Sequence, residues 1–315
     1  MTDVTVSLIV HQNFAHIEHA LTTLFAHTDR PLRVYVVVNQ GGAEDIARLR
    51  AAFPQVTVLV NTNPQGFAAN HNQIMRIAQT PYVALLNDDI EVHPQAIDLL
   101  CDYLDEHHDV GLVGASLLNP NGTPQVSVYG DPILPLTLYK ISGLSRFTAE
   151  GTALRQLLQR LKVVRIASWV EQTETREVAV VKGVAMVVRR AASDQVGLMD
   201  ESTRMYGEEI DWHLRFRKCG WKVAFVAPAK VTHYGIGQRI NLATLPDDRV
   251  SLLNYYLKHK PAWQAVVVRA AIILTHAFVA LVNLPLDRSC AAAYWRTVIA
   301  AIRWQSPSRI ELRGT

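Results

Sequence analysis

Short apolar runs alternate with segments of helical periodicity over the first part of the chain. The runs are rich in β-branched residues and predict buried strands at 4–10, 32–38, 56–60, 82–86 and 110–115. Between them, apolar residues recur at helical spacing and predict helices at 15–27, 43–53, 67–78 and 94–107. This alternation predicts an α/β fold with a mostly parallel sheet and helices on both of its faces.

Asparagine or aspartate follows several of these strands at the C-terminal end. The residues in question are Asn13, Asn39, Asn63, Asp88 and Asp89. Each one alone is typical of a turn, because short polar side chains bond locally to the backbone. In an open α/β sheet, however, ligands bind outside the carboxyl ends of the strands. The series therefore predicts a binding edge.

Asp88 and Asp89 directly follow the apolar run 82–86. Adjacent carboxylates repel each other, and Mg²⁺ is commonly held by one or two carboxylates together with substrate phosphates. A solvated turn is the alternative interpretation. The first strand is not followed by G-x-G-x-x-G, and the chain contains no G-x-x-x-x-G-K-[ST] motif. A nucleotide bound at this edge would therefore need a metal to hold its phosphates.

A second acidic cluster opens a predicted helix that ends at Gly220. Glu208, Glu209 and Asp211 lie in its first turn, where the helix dipole favours anions. Three acids exceed what a helix start needs, so the cluster predicts a general base at the mouth of the site.

Two further positions near this cluster are candidates. Gly183 interrupts the strand predicted at 178–189, and glycine inside a strand often marks the close approach of a ligand or another backbone. His233 follows the strand predicted at 222–227 and is either a metal ligand or a polar loop residue.

Charge is distributed unevenly along the 315 residues. The formal net charge is +3, but the segment from Tyr255 onward carries eight basic residues against two acids. This asymmetry predicts an anionic surface, not nucleic acid, as a partner of the tail. The three cysteines are far apart and show neither metal-ligand spacing nor a disulfide framework, which is typical of a reducing compartment. The N-terminus begins a strand and is not expected to be a signal peptide.

The tail predicts helices at 249–259, 263–286 and 291–304. Seventeen residues without a charged side chain separate Arg269 from Asp287, whereas a membrane-spanning helix needs ~20. We therefore predict an interfacial or buried helix. Tryptophan and arginine interleave in the last helix, as is typical of a bilayer interface. A dimerisation module is the alternative.

The middle of the chain is read as a loop over 119–149. A basic amphipathic helix is predicted at 152–165, either on a membrane surface or packed on its own domain.

Four sequence blocks resemble family 2 glycosyltransferases with the GT-A fold, in particular the rhamnosyltransferase-like branch. The blocks are 6–10 leading to Asn13, 63–72, 85–89, and 183–212 together with His233. Their order and spacing make the resemblance specific. It implies a GT-A nucleotide-diphospho-sugar transferase fold, a Rossmann-like mixed and mostly parallel sheet. We expect this domain over 1–240, with an insertion at about 140–176, and a C-terminal helical extension over 241–315.

The resemblance also implies roles for individual residues. Asp89 matches the acid that binds Mg²⁺ or Mn²⁺, and His233 matches a histidine that completes the metal shell. Glu209 matches the catalytic base, with Glu208 beside it and Asp211 in the same helical turn. Donor binding is implied for Asn13, Asn39, Gly66, Asn72, Asn87, Asp88 and Gly183.

Three positions depart from the family pattern. Asn87 stands where some members carry the first acid of the metal motif, and Asn39-Gln40 replaces a common Asp-Asn pair. Glu209 is usually an aspartate in the family.

The function expected from the resemblance is metal-dependent, inverting transfer of a sugar, with dTDP-rhamnose as the suggested donor. The acceptor would be a hydroxyl of a glycan or a polyprenyl-linked sugar in cell-surface polysaccharide synthesis, at the cytoplasmic face of the cell membrane. One alternative is a catalytically degenerate scaffold that binds nucleotide or glycan at the membrane. A nucleotidyltransferase is disfavoured, because no glycine-rich, lysine-bearing loop follows the first strand.

Overall fold

The structure is a computed structural model. It describes residues 3–11, 13–143, 173–235 and 241–305. The helix predicted at 152–165 lies outside the described residues.

Eleven strands occur in the described residues. In chain order they are β1 (Val4–Val10), β2 (Leu32–Val38), β3 (Thr57–Val60), β4 (Tyr82–Asn87), β5 (Ile90–Val92), β6 (Val110–Leu118), β7 (Val128–Tyr129), β8 (Arg176–Glu177), β9 (Val180–Val181), β10 (Ala185–Arg189) and β11 (Lys222–His233).

The same residues form ten helices. They are α1 (Phe14–His27), α2 (Ala43–Ala52), α3 (Phe67–Ile77), α4 (Ala96–Glu106), α5 (Leu134–Ile141), α6 (Arg190–Val196), α7 (Glu208–Lys218), α8 (Leu245–His259), α9 (Ala262–Asn283) and α10 (Arg288–Arg303).

The main sheet is mixed, with the order β3-β2-β1-β4-β10-β6-β11-β5, and β8 pairs with β11. The first four strands in this order are mutually parallel. β10 is antiparallel to both β4 and β6, and β11 is parallel to β6. β7 and β9 form a separate two-stranded sheet. The prediction of an α/β fold with a mixed, mostly parallel sheet is confirmed.

Both faces of the sheet are covered, as the continuous apolar strands predicted. Along β4, Ala84 and Leu86 point into the core beneath α1 and α4, where Leu21 and Leu100 are fully buried. Val83 and Leu85 point the other way, into the core that Trp212 and Phe216 of α7 fill. A strand that is apolar at every position is typical of a sheet buried on both faces.

Three predicted boundaries were wrong. The loop predicted over 119–149 contains α5, which starts at Leu134 with Pro135 in a position that the first helical turn tolerates. The strand predicted at 178–189 divides into β9 and β10, and the residues after it form α6. β11 continues to His233 past Pro228, because an irregularity between Val226 and Lys230 accommodates the proline.

Contacts divide the chain into two compact units. The larger comprises the described residues of Met1–Asp131, Ala167–Arg204 and Glu208–Gln238, and it holds the whole mixed sheet. The smaller comprises those of Pro132–Ile166, Met205–Gly207 and Arg239–Thr315, with α5 and α8 to α10.

The helix α9 has two apolar faces. Val268, Ile272 and Ala280 are buried within the smaller unit, whereas Leu274 and Phe278 are 71% and 67% exposed. Among the described helices, α9 is the one whose length and composition would allow it to cross a membrane, although 28% of its most apolar window is buried.

Candidate active site

Strand pairing brings Asp89 and His233 together. β5 runs antiparallel to the end of β11, and Ile90 pairs with His233. The backbone N–H of Tyr234 donates to the carbonyl of Asp89 at 2.9 Å. Nε2 of His233 therefore lies 3.4 Å from Oδ1 of Asp89, and both side chains are largely shielded from solvent.

The backbone of Gly235 packs closely against this pair, and only glycine leaves both side chains where they are. A Cβ atom at Gly235 would lie 2.7 Å from Oδ2 of Asp89 and 2.7 Å from Nε2 of His233, which is closer than real Cβ atoms approach other atoms. Oδ1 of Asp89 is buried, and the described residues give it no hydrogen bond beyond the long contact with His233.

A divalent cation fits this arrangement. The described residues contain no group of three or more His, Cys, Asp or Glu side chains arranged around one point. Mg²⁺, however, is usually bound through one or two carboxylates and substrate phosphates, not by a cage made only of protein. Asp89 and His233 would then be the protein ligands, with oxygens of a bound diphosphate completing the shell.

The two adjacent aspartates differ in ionisation. Burial and the charge of Asp89 raise the pKa of Asp88 to about 7. Burial also acts to raise the pKa of Asp89, but the hydrogen bond and charge of His233 outweigh it and lower that pKa. Asp89 is therefore the fully charged carboxylate at neutral pH. Asp88 accepts the backbone N–H of His11, which holds it next to the end of β1.

Glu208 and Glu209 are the first residues of α7, and Glu208 is buried. Burial and the charge of Glu209 together raise the pKa of Tyr129. Burial lowers the pKa of Lys182, while the charges of Asp89 and Glu209 act in the opposite direction. Lys182 thus lies within electrostatic reach of both Asp89 and Glu209, so the predicted metal ligand and the predicted base lie in one region of the molecule.

Asp211, in the same helical turn, is engaged elsewhere. Its carboxylate accepts a hydrogen bond from Nε of Arg215 at 2.8 Å, and the side chain is 8% exposed. Arg215 in turn donates to the carbonyls of Val196 and Leu198 at 3.0 and 2.8 Å. These contacts favour a role in fastening the 196–198 segment to α7.

Asn39 uses its amide group within the protein. Its Oδ1 accepts from the backbone N–H of Gln65 at 2.7 Å and from Asn61 at 3.0 Å, and its Nδ2 donates to the carbonyl of Gln65 at 3.0 Å. Asn39 therefore holds the loop before α3 against the end of β2, and a role in gripping the nucleoside stays a prediction.

Asn72 and Gly66 also serve local structure. The amide of Asn72 donates to the carbonyl of Met199 at 2.9 Å and to Glu201 at 2.8 Å. A Cβ atom at Gly66 would lie 2.6 Å from the carbonyl oxygen of Arg204, so only glycine allows this approach of two backbones. Both residues fix the segment that leads toward α7, and direct donor contact by either stays a prediction.

The remaining candidates lie at the edge of the sheet or beside it. Asn13 directly precedes α1, and Asn87 is the last residue of β4. A methyl group at Gly183 would lie 3.8 Å from Cβ of Glu209 and 3.7 Å from the ring of Phe67, which is ordinary contact. Gly183 is thus next to the predicted base without being forced by packing to be glycine.

Sequence reasoning missed Gln125 and Lys182. Oε1 of Gln125 lies 2.7 Å from Nδ1 of His233 and 3.0 Å from Nζ of Lys182. One available signal was that Lys182 is the single charged residue inside the apolar segment 178–188.

A cavity of about 190 Å³ is also part of this side of the unit. It is lined by His16, His19, Ile90 and Tyr234. The Tyr234 hydroxyl donates to Glu91 at 2.7 Å. Because Ile90 and Tyr234 directly follow Asp89 and His233 in the chain, the cavity adjoins Asp89 and His233.

Comparison with known families decides the affiliation of the chain. The model described as "Glycosyltransferase like family 2" matches residues 12–264, which include every candidate residue named above. The chain belongs to glycosyltransferase family 2.

This glycosyltransferase has distant relatives in bacterial polysaccharide synthesis. It is 28% identical over 256 residues to the N-acetylglucosaminyl-diphospho-decaprenol L-rhamnosyltransferase of Mycobacterium tuberculosis, covering 74% of this chain and 77% of the relative. It is 25% identical over 188 residues to the O-antigen biosynthesis protein RfbC of Myxococcus xanthus, covering 59% of this chain and 13% of that protein.

Solved structures confirm the GT-A-like fold of the family 2 chain. It matches GalNAc-T7 with UDP, GalNAc and Mn²⁺ at a TM-score of 0.57 and 14% identity, over 81% of this chain and about half (48%) of that one. It matches the mannosyltransferase PcManGT from Pyrobaculum calidifontis with GDP-Man and Mn²⁺ at a TM-score of 0.53 and 15% identity, over 95% and 85% of the two chains. At these identities the likeness concerns the fold.

Proposed function

We propose that this glycosyltransferase is metal-dependent and inverting, with Asp89 and His233 as metal ligands and Glu209 as the base. The observation that carries the proposal is the pair of Asp89 and His233, 3.4 Å apart. Gly235 lies so close to both that a Cβ atom would clash with them, and Glu209 is in electrostatic reach of the same lysine as Asp89.

The chemistry follows from these positions. A divalent cation bound there would neutralise the charge that develops on the leaving diphosphate. Glu209 takes the proton of the acceptor hydroxyl, a contribution of typically ~10²–10⁴-fold. The hydroxyl oxygen bonds to the anomeric carbon as the bond from that carbon to the diphosphate oxygen breaks, and the bonding pair leaves with the nucleoside diphosphate. Attack on the face opposite the leaving group inverts the anomeric centre.

We further propose a division of labour among the donor-binding candidates. Asn87 and Asp88 directly precede Asp89 in the chain, and Asn13 directly precedes α1; in this proposal all three contact the donor directly. The hydrogen bonds of Asn39 and Asn72 within the protein support an indirect role, in which they set the shape of the loops around the donor.

The proposed donor is dTDP-rhamnose, and the proposed acceptor is a polyprenyl-diphosphate-linked sugar. Support comes from the mycobacterial relative, whose name states an L-rhamnosyltransferase acting on a decaprenol-linked sugar, and from the O-antigen biosynthesis protein. Other nucleotide-sugars are alternatives that the assay below separates.

The test is release of nucleoside diphosphate from a panel of nucleotide-sugars, including dTDP-rhamnose, UDP-GlcNAc and GDP-mannose, with Mn²⁺ and with a chelator. We expect Mn²⁺-dependent release that Glu209→Gln lowers by about 10²-fold or more. Glu44→Gln, which changes an exposed acid in α2, is the matched control. Release that persists in the chelator would contradict the proposed metal dependence. Full activity of Glu209→Gln would assign the base to Glu208 or Asp211 instead.

A degenerate binding scaffold is the second candidate, because Asn87 replaces an acid found at this position in some members of the family. It predicts tight binding of a nucleoside diphosphate with no release from any donor in the panel.

The exposed face of α9 supports a peripheral location at the inner face of the cell membrane. Trp263, Val266, Leu274, Phe278 and Leu281 are all more than half exposed. Contiguous exposed apolar patches mark interaction sites, whereas single exposed apolar residues do not. Exposed Arg296 and Arg303 on α10 add positive charge in the same unit. We propose that α9 lies along an anionic lipid surface, since its opposite face is buried in protein.

A further inference from the structure

Three buried or half-buried side chains form a hydrogen-bonded series behind the metal pair. Nζ of Lys182 lies 3.0 Å from Oε1 of Gln125, and the same oxygen lies 2.7 Å from Nδ1 of His233. Gln125 is 2% exposed and His233 is 6% exposed. The series ends at Nε2 of His233, which faces Asp89.

The orientation of the Gln125 amide follows from its neighbours. The ammonium group of Lys182 can only donate, so the Gln125 atom it contacts must be the oxygen. On the other side, Nε2 of Gln125 lies 3.0 Å from Oδ1 of Asn119. Asn119 is itself oriented, because its Nδ2 donates to the carbonyl of Pro124 at 3.2 Å. Each of these contacts pairs a donor with an acceptor.

The loop that carries Gln125 is held in register. The backbone N–H of Gln125 donates to the carbonyl of Leu117 at 2.8 Å, and Leu118 forms an antiparallel β-bridge with Pro124. The loop 119–124 therefore turns the chain back alongside the end of β6 and places Gln125 next to His233, at the end of β11.

We propose that Gln125, oriented by Lys182, is a positioning residue that fixes the tautomer of His233. Because Oε1 of Gln125 accepts, Nδ1 of His233 must carry the proton, and in the neutral imidazole the lone pair is on Nε2. Nε2 lies 3.4 Å from Oδ1 of Asp89. A cation bound there would take the Nε2 lone pair and the carboxylate together, in place of the proton that otherwise links the two groups. The proposal rests on the proposed function, in which His233 is a metal ligand.

Metal-ligating histidines generally donate their other N–H to a second group, and loss of that group typically costs about 10–100-fold in metal affinity. The sequence gives no sign of this role for Gln125. The residue follows Asn119-Pro-Asn-Gly-Thr-Pro, in a segment whose composition indicates only a loop.

The experiment compares Gln125→Met with Gln125→Glu in the full chain. Methionine keeps the side-chain length but cannot accept from His233, whereas glutamate keeps the acceptor and loses the donor to Asn119. The tautomer of His233 is read from ¹⁵N chemical shifts of the metal-free protein, with His233→Gln to assign the signal. Affinity for Mn²⁺ alone is measured by electron paramagnetic resonance of the free ion.

We expect wild-type protein and Gln125→Glu to hold the Nδ1-protonated tautomer and similar Mn²⁺ affinity. Gln125→Met should show a mixture of tautomers and an affinity lower by about 10–100-fold. A purely structural role predicts the reverse ranking, because glutamate buries an additional charge. Lys182→Met should shift the tautomer in the same direction as Gln125→Met.

Two results would overturn the inference. An unchanged tautomer in Gln125→Met, or an Mn²⁺ affinity equal to that of the wild type, contradicts it even if His233→Gln loses the metal. If wild-type protein binds no Mn²⁺, the metal dependence under the proposed function fails as well. If wild-type protein and Gln125→Met bind Mn²⁺ equally well, only the inference about Gln125 fails and the proposed function stands.

Discussion

The residues with the most direct chemical consequence lie where β4 and β11 end. His233 lowers the pKa of Asp89, so Asp89 is charged at neutral pH. Burial and the charge of Asp89 raise the pKa of Asp88 to about 7. Asp89 and His233 could be named from the sequence, because strand ends and a family resemblance both pointed to them. Their separation of 3.4 Å could not, because it depends on the antiparallel pairing of β5 with β11.

Gly235→Ala tests whether the close approach of Gly235 to this pair is functional. The added methyl group would lie 2.7 Å from both Oδ2 of Asp89 and Nε2 of His233, so we expect a shift of about an ångström in one ligand and loss of about 10²-fold in Mn²⁺-dependent turnover. The melting temperature should stay close to that of the wild type. Gly130→Ala is the matched control, because a Cβ atom there meets nothing within 4 Å. Equal activity of the two variants would contradict a site at Gly235.

At the scale of elements, α7 combines two tasks within one turn. Glu209 faces the region of Lys182 and Tyr129, whereas Asp211 holds Arg215 and through it the 196–198 segment. The sequence shows only that Glu208, Glu209 and Asp211 share the first turn of one helix, so all three were predicted to serve one site. It does not show that their side chains point in different directions. Which way each acid points depends on the packing of α7 against the sheet.

Asp211→Asn should separate these tasks. Breaking a largely buried ion pair by removing one charge typically costs about 3–5 kcal/mol, and the side chain of Asp211 is 8% exposed while that of Arg215 is 20% exposed. We expect a lower free energy of unfolding in urea, with kcat per folded molecule close to wild type. Glu209→Gln should behave in the opposite way. A large fall in kcat with unchanged stability would instead return Asp211 to the catalytic group.

Element boundaries show where local pattern is enough. The first four strands and three helices were predicted to within one residue or so, because apolar runs buried on both faces and amphipathic helices differ clearly in period. The end of β11 was missed because Pro228 normally terminates a strand, and only the irregular pairing with β6 allows the strand to continue to His233.

At the scale of the whole molecule, two buried histidines link stability to pH. His71 and His213 are fully buried, on α3 and α7, and burial lowers the pKa of each to about 3, with the charge of Arg217 adding to the shift at His213. His71 lies 2.9 Å from the hydroxyl of Ser7. Because the folded pKa is below the unfolded value, the stability these groups contribute is complete above the unfolded pKa and is lost as the pH falls toward 3.

His213→Leu should flatten this dependence. At pH 5.5, one unit below the ordinary histidine pKa, keeping His213 neutral in the folded state costs about 1.4 kcal/mol, and at pH 7.5 the cost is close to zero. The fall in the free energy of unfolding between these two pH values should therefore be smaller by about 1.4 kcal/mol in the variant. His108→Gln, which changes an exposed histidine, should leave the fall unchanged. An identical fall in all three proteins would show that His213 is not buried in the neutral form.

The exposed face of α9 belongs to the same scale. The double variant Leu274→Glu with Phe278→Glu places two charges at positions that are 71% and 67% exposed. Its sedimentation with phosphatidylglycerol vesicles should fall by about 10-fold or more, because charges oppose both apolar insertion and attraction to anionic lipid. Val60→Glu with Ile77→Glu, about half exposed in the larger unit, is the matched control. If the wild type fails to bind vesicles and light scattering shows a dimer that the α9 variant disrupts, the surface is an interface between copies of the chain.

The sequence by itself determined the fold class, the strands that end in acids, and the membership in glycosyltransferase family 2, because these depend on periodicity, composition and the order of short motifs. Tertiary structure alone decided which side chains meet. Asp89 contacts His233, and Gln125 and Lys182 support His233, although these residues are far apart in the chain. Glu209 and Asp211 are close in the chain but lie on different sides of one helical turn. Such contacts depend on sheet register and on hydrogen-bond direction, which no local pattern of residues encodes.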